Sequence, residues 1–251
     1  GDINGDGYAD VLIGCIWWSN SHTNEGATFV HLGSPAGISS SAFLRYEPNL
    51  NNANMGEWVS TAGDVNGDGY SDMILGAPGL NRLYIYHGGA YSVSTRAAFS
   101  RSGGVAGAQL GTAVANAGDV NGDGYADAIM GAPSAANGQP GEGLAYLHYG
   151  SSTGLSPAPA LTLEANIANA AFGQSVASAG DVNGDGYADV VVGAPQSNGI
   201  GRAYIYQGGP AGLNATPVLT LSGTSSSLFG TAVFTAGDHN ADGYADVLIG
   251  A

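Results

Sequence analysis

The stretch DVNGDGYAD at residues 181–189 recurs along the whole chain and gives the first indication of its architecture. Self-similarity at a fixed period indicates a repeat protein in which each period folds as one supersecondary unit. Successive copies begin 62, 55, 62 and 57 residues apart. The shared pattern, Asp-x-Asn-(Gly/Ala)-Asp-Gly-Tyr-(Ala/Ser)-Asp, occurs five times and begins at Asp2, Asp64, Asp119, Asp181 and Asp238.

Each period predicts four short strands, called A to D in chain order. In the fourth copy the apolar β-branched and aromatic runs place strand A near 174–179, B near 188–193, C near 202–207 and D near 217–221. Four antiparallel strands per period, with no helical periodicity between them, predict an all-β fold made of β-propeller blades. A β-sandwich or a parallel β-helix is less favoured, because a sandwich has no reason to repeat and β-helix coils are shorter.

The composition excludes several classes of function. Lysine is absent, and the formal net charge is −15 at pH 7, so we expect no binding to nucleic acid or to anionic lipid headgroups. No apolar run approaches the ~20 residues that span a bilayer, so direct membrane insertion is not expected. The single cysteine, Cys15, excludes an intrachain disulfide framework.

The five Asp-rich loops are predicted to bind calcium. Loop positions 1, 3, 5 and 9 carry side-chain oxygens and position 7 offers its backbone carbonyl, which suits a cation that takes six to eight hard oxygen ligands. The loops contain every aspartate of the chain, and three carboxylates within nine residues repel one another without a cation. Metal-free Asp/Asn/Gly turns, an EF-hand and magnesium sites are the less favoured alternatives, since no Glu follows at position 12 and magnesium keeps its waters.

Up to five structural Ca²⁺ ions are therefore expected. The predicted ligands are Asp2, Asn4, Asp6, Tyr8 and Asp10 in the first loop; Asp64, Asn66, Asp68, Tyr70 and Asp72 in the second; Asp119, Asn121, Asp123, Tyr125 and Asp127 in the third; Asp181, Asn183, Asp185, Tyr187 and Asp189 in the fourth; and Asp238, Asn240, Asp242, Tyr244 and Asp246 in the fifth.

The chain resembles the FG-GAP repeat family, which includes integrin α-subunit propellers and bacterial relatives. Phe172-Gly173 is followed by the Gly-Ala-Pro of 193–195, and Phe229-Gly230 by Gly250-Ala251. Leu110-Gly111 and Met55-Gly56 replace the Phe-Gly pair in two other copies. The resemblance covers the whole chain and implies structural calcium between strands A and B, on the face away from the ligand.

The resemblance also implies a seven-bladed ring, of which this chain supplies about four blades. We expect seventeen strands, as three, then three sets of four, then two, and residues 237–250 repeat residues 1–14 with two substitutions. A fragment of a larger ring is favoured over a closed four-bladed ring or a ring built from two chains. The predicted repeats, within a single domain of residues 1–251, are about 1–55, 56–110, 111–172, 173–229 and 230–251.

Because neighbouring strands of a blade run in opposite directions, the A–B and C–D loops are expected on one face and the B–C and D–A loops on the other. The second face is the predicted ligand-binding surface, since loops on a rigid scaffold commonly carry recognition. Trp17 and Trp18 are its candidate ligand-binding residues, although packing between blades is the favoured role for them. The segments predicted to form this face are 15–25, 48–55, 132–142 and 165–171.

No catalytic residues are predicted, because every aspartate is committed to a loop and no serine-based or paired-carboxylate motif appears. His31 and His148 occupy equivalent strand C positions that are tyrosine elsewhere, which indicates packing. We expect an extracellular, secreted or cell-surface adhesion module that binds a protein or glycan ligand on the cell surface or matrix. The alternatives are a non-catalytic accessory or scaffold domain of a larger secreted enzyme, and a self-assembling surface protein.

Overall fold

A computed structural model describes residues 1–90 and 93–251. Within these residues the chain forms seventeen strands and no α-helix, apart from the short 3₁₀ turns Pro78–Leu80 and Ser197–Gly199. The described part of the chain thus holds no helix that is long and apolar enough to cross a membrane. The strands are β1 Val11–Cys15, β2 Ala27–His31, β3 Leu44–Tyr46, β4 Val59–Gly63, β5 Asp72–Ala77, β6 Arg82–Tyr86, β7 Phe99–Ser102, β8 Ala113–Gly118, β9 Asp127–Ala132, β10 Leu144–His148, β11 Leu161–Glu164, β12 Ser175–Gly180, β13 Asp189–Ala194, β14 Arg202–Tyr206, β15 Leu219–Ser222, β16 Ala232–Gly237 and β17 Asp246–Gly250.

The strands form five antiparallel sheets, called blades 1 to 5. Blade 1 holds β1–β3, blades 2, 3 and 4 each hold four strands in the order of the chain, and blade 5 holds β16–β17. The predicted all-β fold, the four-stranded antiparallel sheets and the count of seventeen strands are confirmed. The predicted repeat boundaries and the seven-bladed ring remain predictions.

A β-bulge ends each strand A just before the Asp-rich loop. In blade 2 the register between β4 and β5 shifts between Thr61 and Gly63, and the same shift occurs in blades 3, 4 and 5. The Thr61 hydroxyl accepts a hydrogen bond from the Gly63 N–H at 3.2 Å. Because a bulge bends its strand and increases the local twist, it turns the chain out of the sheet and into the loop.

The blades pack side by side with strand A innermost. The A strands β4, β8, β12 and β16 contact one another in turn. Apolar side chains of neighbouring sheets meet in shared cores, so that Ile74 and Ile85 of blade 2 lie in one cluster with Met130 of blade 3. Four A strands also line a central cavity of about 430 Å³. Across it, the rings of Trp58 and Phe234 stack with their centroids 6.5 Å apart.

The two end blades are less covered than the middle blades. In blade 4, Val190 and Val192 of strand B are fully buried. In blade 1 the strand B residue Ile13 is 48% exposed, and in blade 5 the strand B residue Leu248 is 63% exposed. Strand B is therefore buried where a sheet packs on each side of the blade. Within this chain the middle blades have two such neighbours and the end blades have one.

Candidate metal loops and the opposite face

The first aspartate of each loop holds the loop in its turn. In blade 2 the Asp64 carboxylate accepts hydrogen bonds from the N–H groups of Gly67 at 2.7 Å, Asp68 at 3.1 Å and Gly69 at 2.7 Å. The loops at Asp2, Asp119 and Asp181 repeat all three bonds. A side-chain acceptor with several backbone donors is a local turn device, which explains why Asp opens the motif.

In the first four loops the last aspartate is an anchor between the loop and the turn that follows strand C. In blade 2 Asp72 is fully buried, and its two oxygens accept the N–H groups of Val65 and Gly88, each at 2.9 Å. Asp10, Asp127 and Asp189 make the same two contacts in their blades. Burial raises the pKa of Asp72 to about 6 and that of Asp127 to about 7, against the opposing effect of the two N–H donors.

The side chains at positions 3 and 5 lie next to each other at the surface. The Asn66 Nδ2 group donates to Asp68 Oδ2 at 2.9 Å, and Asp68 is exposed. No three His, Cys, Asp or Glu side chains are arranged to hold a metal anywhere in the described ranges 1–90 and 93–251. The loop oxygens are nevertheless all hard donors, with carboxylates at positions 1, 5 and 9 and an amide at 3. This donor set fits calcium, and the position 5 carboxylate, as at Asp68, is exposed to solvent.

The loops of neighbouring blades are hydrogen-bonded to one another. The Ser71 N–H donates to the Asp2 carbonyl of the preceding loop at 2.9 Å, and the Gly89 N–H donates to the Ile3 carbonyl at 3.0 Å. Each later pair of blades repeats the first of these bonds, through the residue at loop position 8. The Asp-rich loops therefore form a continuous belt along one face of the blades.

The tyrosine at position 7 packs on the loop of the preceding blade, which the sequence interpretation missed. A Cβ atom added at Gly67 would lie 2.6 Å from Cε1 of Tyr125, so the ring covers a position that requires glycine. Gly5, Gly122 and Gly184 stand in the same relation to the next tyrosine. In the last loop, position 4 is Ala241, which is exposed. Position 4 is Gly in the first four loops and Ala only in the last, and this difference was the available signal for the contact.

The two tryptophans of the predicted ligand face differ in environment. Trp18 packs edge-on against Phe29 with the ring centroids 5.3 Å apart, its Nε1 donates to Glu47, and Arg45 stacks over its ring at 5.1 Å. Trp17 is 67% exposed. Trp18 therefore packs within its own blade and not between blades, which was the role favoured from the sequence, whereas the ring of Trp17 is exposed.

The two strand C histidines make the packing contacts that the sequence predicted. His148 is fully buried, with Nδ1 2.7 Å from the Ser156 carbonyl and Nε2 3.2 Å from the Arg101 guanidinium. Burial lowers the pKa of His148 to about 4, and the positive charge of Arg101 acts in the same direction. The His31 Nδ1 atom lies 2.9 Å from the Ser39 carbonyl at a half-buried position.

Comparison with known proteins agrees with this architecture. The FG-GAP repeat family model matches residues 172–206 and the FG-GAP-like repeat model matches residues 64–130. Integrin alpha-V of Gallus gallus is 31% identical over 215 residues, which is 77% of this chain and 19% of the integrin. Integrin alpha-4 of Xenopus laevis is 32% identical over 143 residues, or 53% of this chain and 14% of the integrin.

A relative of another kind is phosphatidylinositol-glycan-specific phospholipase D of Rattus norvegicus, 31% identical over 194 residues, which cover 68% of this chain and 21% of that protein. The chain thus spans about a fifth or less of the length of these relatives. The matched repeats, the antiparallel four-stranded sheets and the similarity to integrins point to one family. The chain is an FG-GAP repeat, integrin α-like domain built of β-propeller blades.

Proposed function

We propose that this chain is a calcium-stabilised extracellular binding or adhesion module without catalytic activity of its own. The observation that carries this proposal is the separation of two faces. All the Asp-rich loops share one side, where they contact the turns that follow strand C, as the Gly88–Asp72 bond illustrates. The loops of variable length and sequence, such as 78–81 and 132–142, connect strands B and C at the other end of the same strands.

Calcium is proposed to stiffen the joints between blades. Positions 1, 3, 5, 7 and 9 of each loop would hold the ion, which would offset the mutual repulsion of three carboxylates. Because each loop is hydrogen-bonded to the next, through contacts such as Ser71 N–H to the Asp2 carbonyl, order in one loop supports its neighbours. The millimolar calcium found outside cells matches the affinity of extracellular calcium modules, on the order of 10⁻⁴ to 10⁻³ M.

The face opposite the Asp-rich loops is proposed to bind a protein or glycan ligand at the cell surface or in the matrix. Its loops are rich in Asn, Ser and Gly, and Trp17 presents an exposed ring. An exposed indole ring can stack on a sugar or anchor a protein partner. Similarity to two integrin α subunits supports a role in binding, with the partner of this chain to be identified.

A second candidate function is a non-catalytic accessory domain of a larger secreted enzyme. The observation that favours it is the match to the phospholipase D, which covers 68% of this chain. The two candidates differ in what adjoins residues 1 and 251 in the complete protein. A catalytic domain in the same polypeptide would favour the accessory role, whereas adhesion domains or a membrane anchor would favour the adhesion role.

Thermal unfolding with and without calcium tests the proposed stabilisation. A single site at ten times its Kd contributes about 1.4 kcal/mol, so several filled loops should raise the Tm by on the order of 10 °C or more. The melting temperature should be measured by circular dichroism in excess chelator, in millimolar calcium and in millimolar magnesium. Equal melting temperatures in calcium and in chelator would refute the proposal, and a glycan array would then test the ligand face separately.

A further inference from the structure

Two B–C loops share one backbone design although they belong to different blades. The loops 15–25 and 132–142 have equal length, and each ends in a fully buried glutamate, Glu25 or Glu142. In both loops one oxygen of that glutamate accepts a backbone N–H five residues earlier, from Asn20 or Asn137. The glutamate therefore lies inside the loop and holds it in shape from within.

In blade 1 both acidic side chains at this loop have a basic neighbour. Oε2 of the buried Glu25 lies 3.6 Å from His22 Nδ1. The second acidic residue, Glu47 at the end of strand D, pairs with Arg45, whose Nε lies 2.9 Å from a carboxylate oxygen. The Arg45–Glu47 contact joins two charged groups, whereas the His22–Glu25 contact is an ion pair only when the imidazole is protonated, and Glu25 Oε2 has no hydrogen-bond donor among the described residues.

In blade 3 the same two carboxylates are present and both basic neighbours are replaced. The position of His22 is taken by Gln139, and that of Arg45 by Thr162, which faces Tyr146 as Arg45 faces Phe29. The described residues contain no ion pair to the two carboxylates of this loop. Blade 3 therefore buries Glu142 without a basic side chain at the position that His22 occupies beside Glu25 in blade 1.

Two buried oxygens of the blade 3 loop lack a hydrogen-bond donor among the described residues, whereas the blade 1 loop has one such oxygen, Glu25 Oε2, with the His22 ring beside it. The two blade 3 oxygens are Oε2 of Glu142 and Oε1 of Gln139. The second carboxylate of this blade, Glu164, is close by, because Asn137 donates its backbone N–H to Glu142 and its Nδ2 to Glu164 at 2.8 Å. An unpaired buried carboxylate is costly, so a positive charge or a donor belongs at this position.

We propose that Glu142 and Gln139, with Glu164 beside them, hold a divalent cation in the B–C loop of blade 3. The cation takes the place that His22 and Arg45 fill in blade 1. Among the described residues, the side-chain oxygens of Glu142, Gln139 and Glu164 are carboxylates and an amide, which selects a hard cation, and calcium accepts such incomplete sets because water completes its shell. This site lies at the end of the blade opposite the Asp-rich loops and does not depend on calcium binding by them.

The experiment counts bound calcium in the whole chain by equilibrium dialysis at about 1 mM free calcium, the range of extracellular modules. Gln139→His installs the blade 1 residue and should bind one ion fewer per chain than the wild type, as should Glu142→Gln. Glu25→Gln is the matched control, because His22 already faces that carboxylate, and it should leave the count unchanged. The reverse change, His22→Gln, should add an ion.

Equal counts in the wild type and Gln139→His, with both chains folded by circular dichroism, would overturn the proposal. That outcome would mean that a turned Gln139 amide or a buried water satisfies Glu142, since amide orientation is assigned from hydrogen bonds. The difference in bound calcium between the wild type and Gln139→His tests this proposal. The total number of bound ions is determined mainly by the Asp-rich loops. A wild-type chain that binds no ion would refute both the site at Glu142 and calcium binding by the Asp-rich loops. A wild-type chain that binds a single ion, which Gln139→His loses, would refute only calcium binding by the Asp-rich loops.

Discussion

The two faces of this molecule differ in how strictly their loops repeat from blade to blade. On the Asp-rich face each loop repeats the same hydrogen bonds, and the loops bond to one another from blade to blade. On the opposite face, loops of equal backbone design carry different side chains, as His22 and Gln139 show. Loops that are hydrogen-bonded both to their own blade and to the next blade have little freedom to vary. Loops that are separate from one another can change one residue at a time.

The largest expected effect on the Asp-rich face comes from its buried anchor. Asp127→Ala leaves two backbone donors, the N–H groups of Val120 and Gly150, without their acceptor. Each unsatisfied buried donor costs about 1–3 kcal/mol, so we expect a loss of about 3 kcal/mol in the free energy of unfolding without calcium, and a larger loss with calcium, because position 9 is also a proposed ligand. Urea unfolding followed by fluorescence measures the change.

Asp123→Ala in the same loop is the matched control. Asp123 is exposed and loses a bond to the Tyr125 N–H. Without calcium the cost should stay below about 1 kcal/mol, and with calcium it should grow, because a ligand of the proposed ion is lost. Equal costs for the two aspartates in chelator would show that position 9 is not the anchor.

A smaller effect is expected where one blade meets the next. Gly67→Ala places a Cβ atom 2.6 Å from Tyr125 Cε1, at a backbone φ of +72°. Gly69→Ala has a similar φ of +89° but meets nothing within 4 Å. Both variants carry the strain of a positive φ, so the contact with Tyr125 should make Gly67→Ala more costly by about 1–2 kcal/mol. Differential scanning calorimetry of the pair isolates that contact, and equal melting temperatures would contradict it.

The sequence alone predicted the strands of this fold but not the contacts of its buried carboxylates. The period, the turn residues and the alternation of apolar residues predicted seventeen strands and the exposed loop oxygens, because these depend on local chemistry. The anchoring role of Asp72 could not be predicted, since it depends on where the chain returns after strand C to bring Gly88 to the carboxylate. The burial of Glu142 likewise depends on how its own loop folds, and in the sequence it is one of five glutamates with nothing to distinguish it.

A pH effect is expected on the interface between blades 2 and 3. Buried His148 has a pKa of about 4, below the ordinary value of 6.5, so the folded state favours the neutral ring. Because the unfolded chain takes up a proton at this histidine more readily than the folded chain, the free energy of unfolding decreases as the pH falls from 6.5 toward 4. The expected decrease is on the order of 2 kcal/mol, and His148 has no such effect above pH 6.5. His148→Gln should remove that part of the acid sensitivity in urea unfolding at pH 7 and pH 4.5.

The control for this prediction is His31→Gln, at the equivalent but half-buried position of blade 1. It should leave the difference in unfolding free energy between the two pH values close to that of the wild type. The carboxylates titrate in the same range in all three proteins, so the comparison cancels their contribution. An acid sensitivity that is the same in His148→Gln and the wild type would show that the ring is not held neutral.

The smallest expected change in stability belongs to the ligand face. Trp17 is 67% exposed, so Trp17→Ala should change the free energy of unfolding by less than about 0.5 kcal/mol. Trp18→Ala removes the contact with Phe29 and the bond to Glu47, which should cost about 1–2 kcal/mol. If Trp17 serves a ligand, its removal should weaken binding on a glycan or matrix-protein array while the melting temperature stays constant. A residue that contributes to ligand binding but not to the free energy of unfolding is what we expect on a ligand-binding surface. Unchanged binding by Trp17→Ala would mean that the ligand site lies elsewhere on that face.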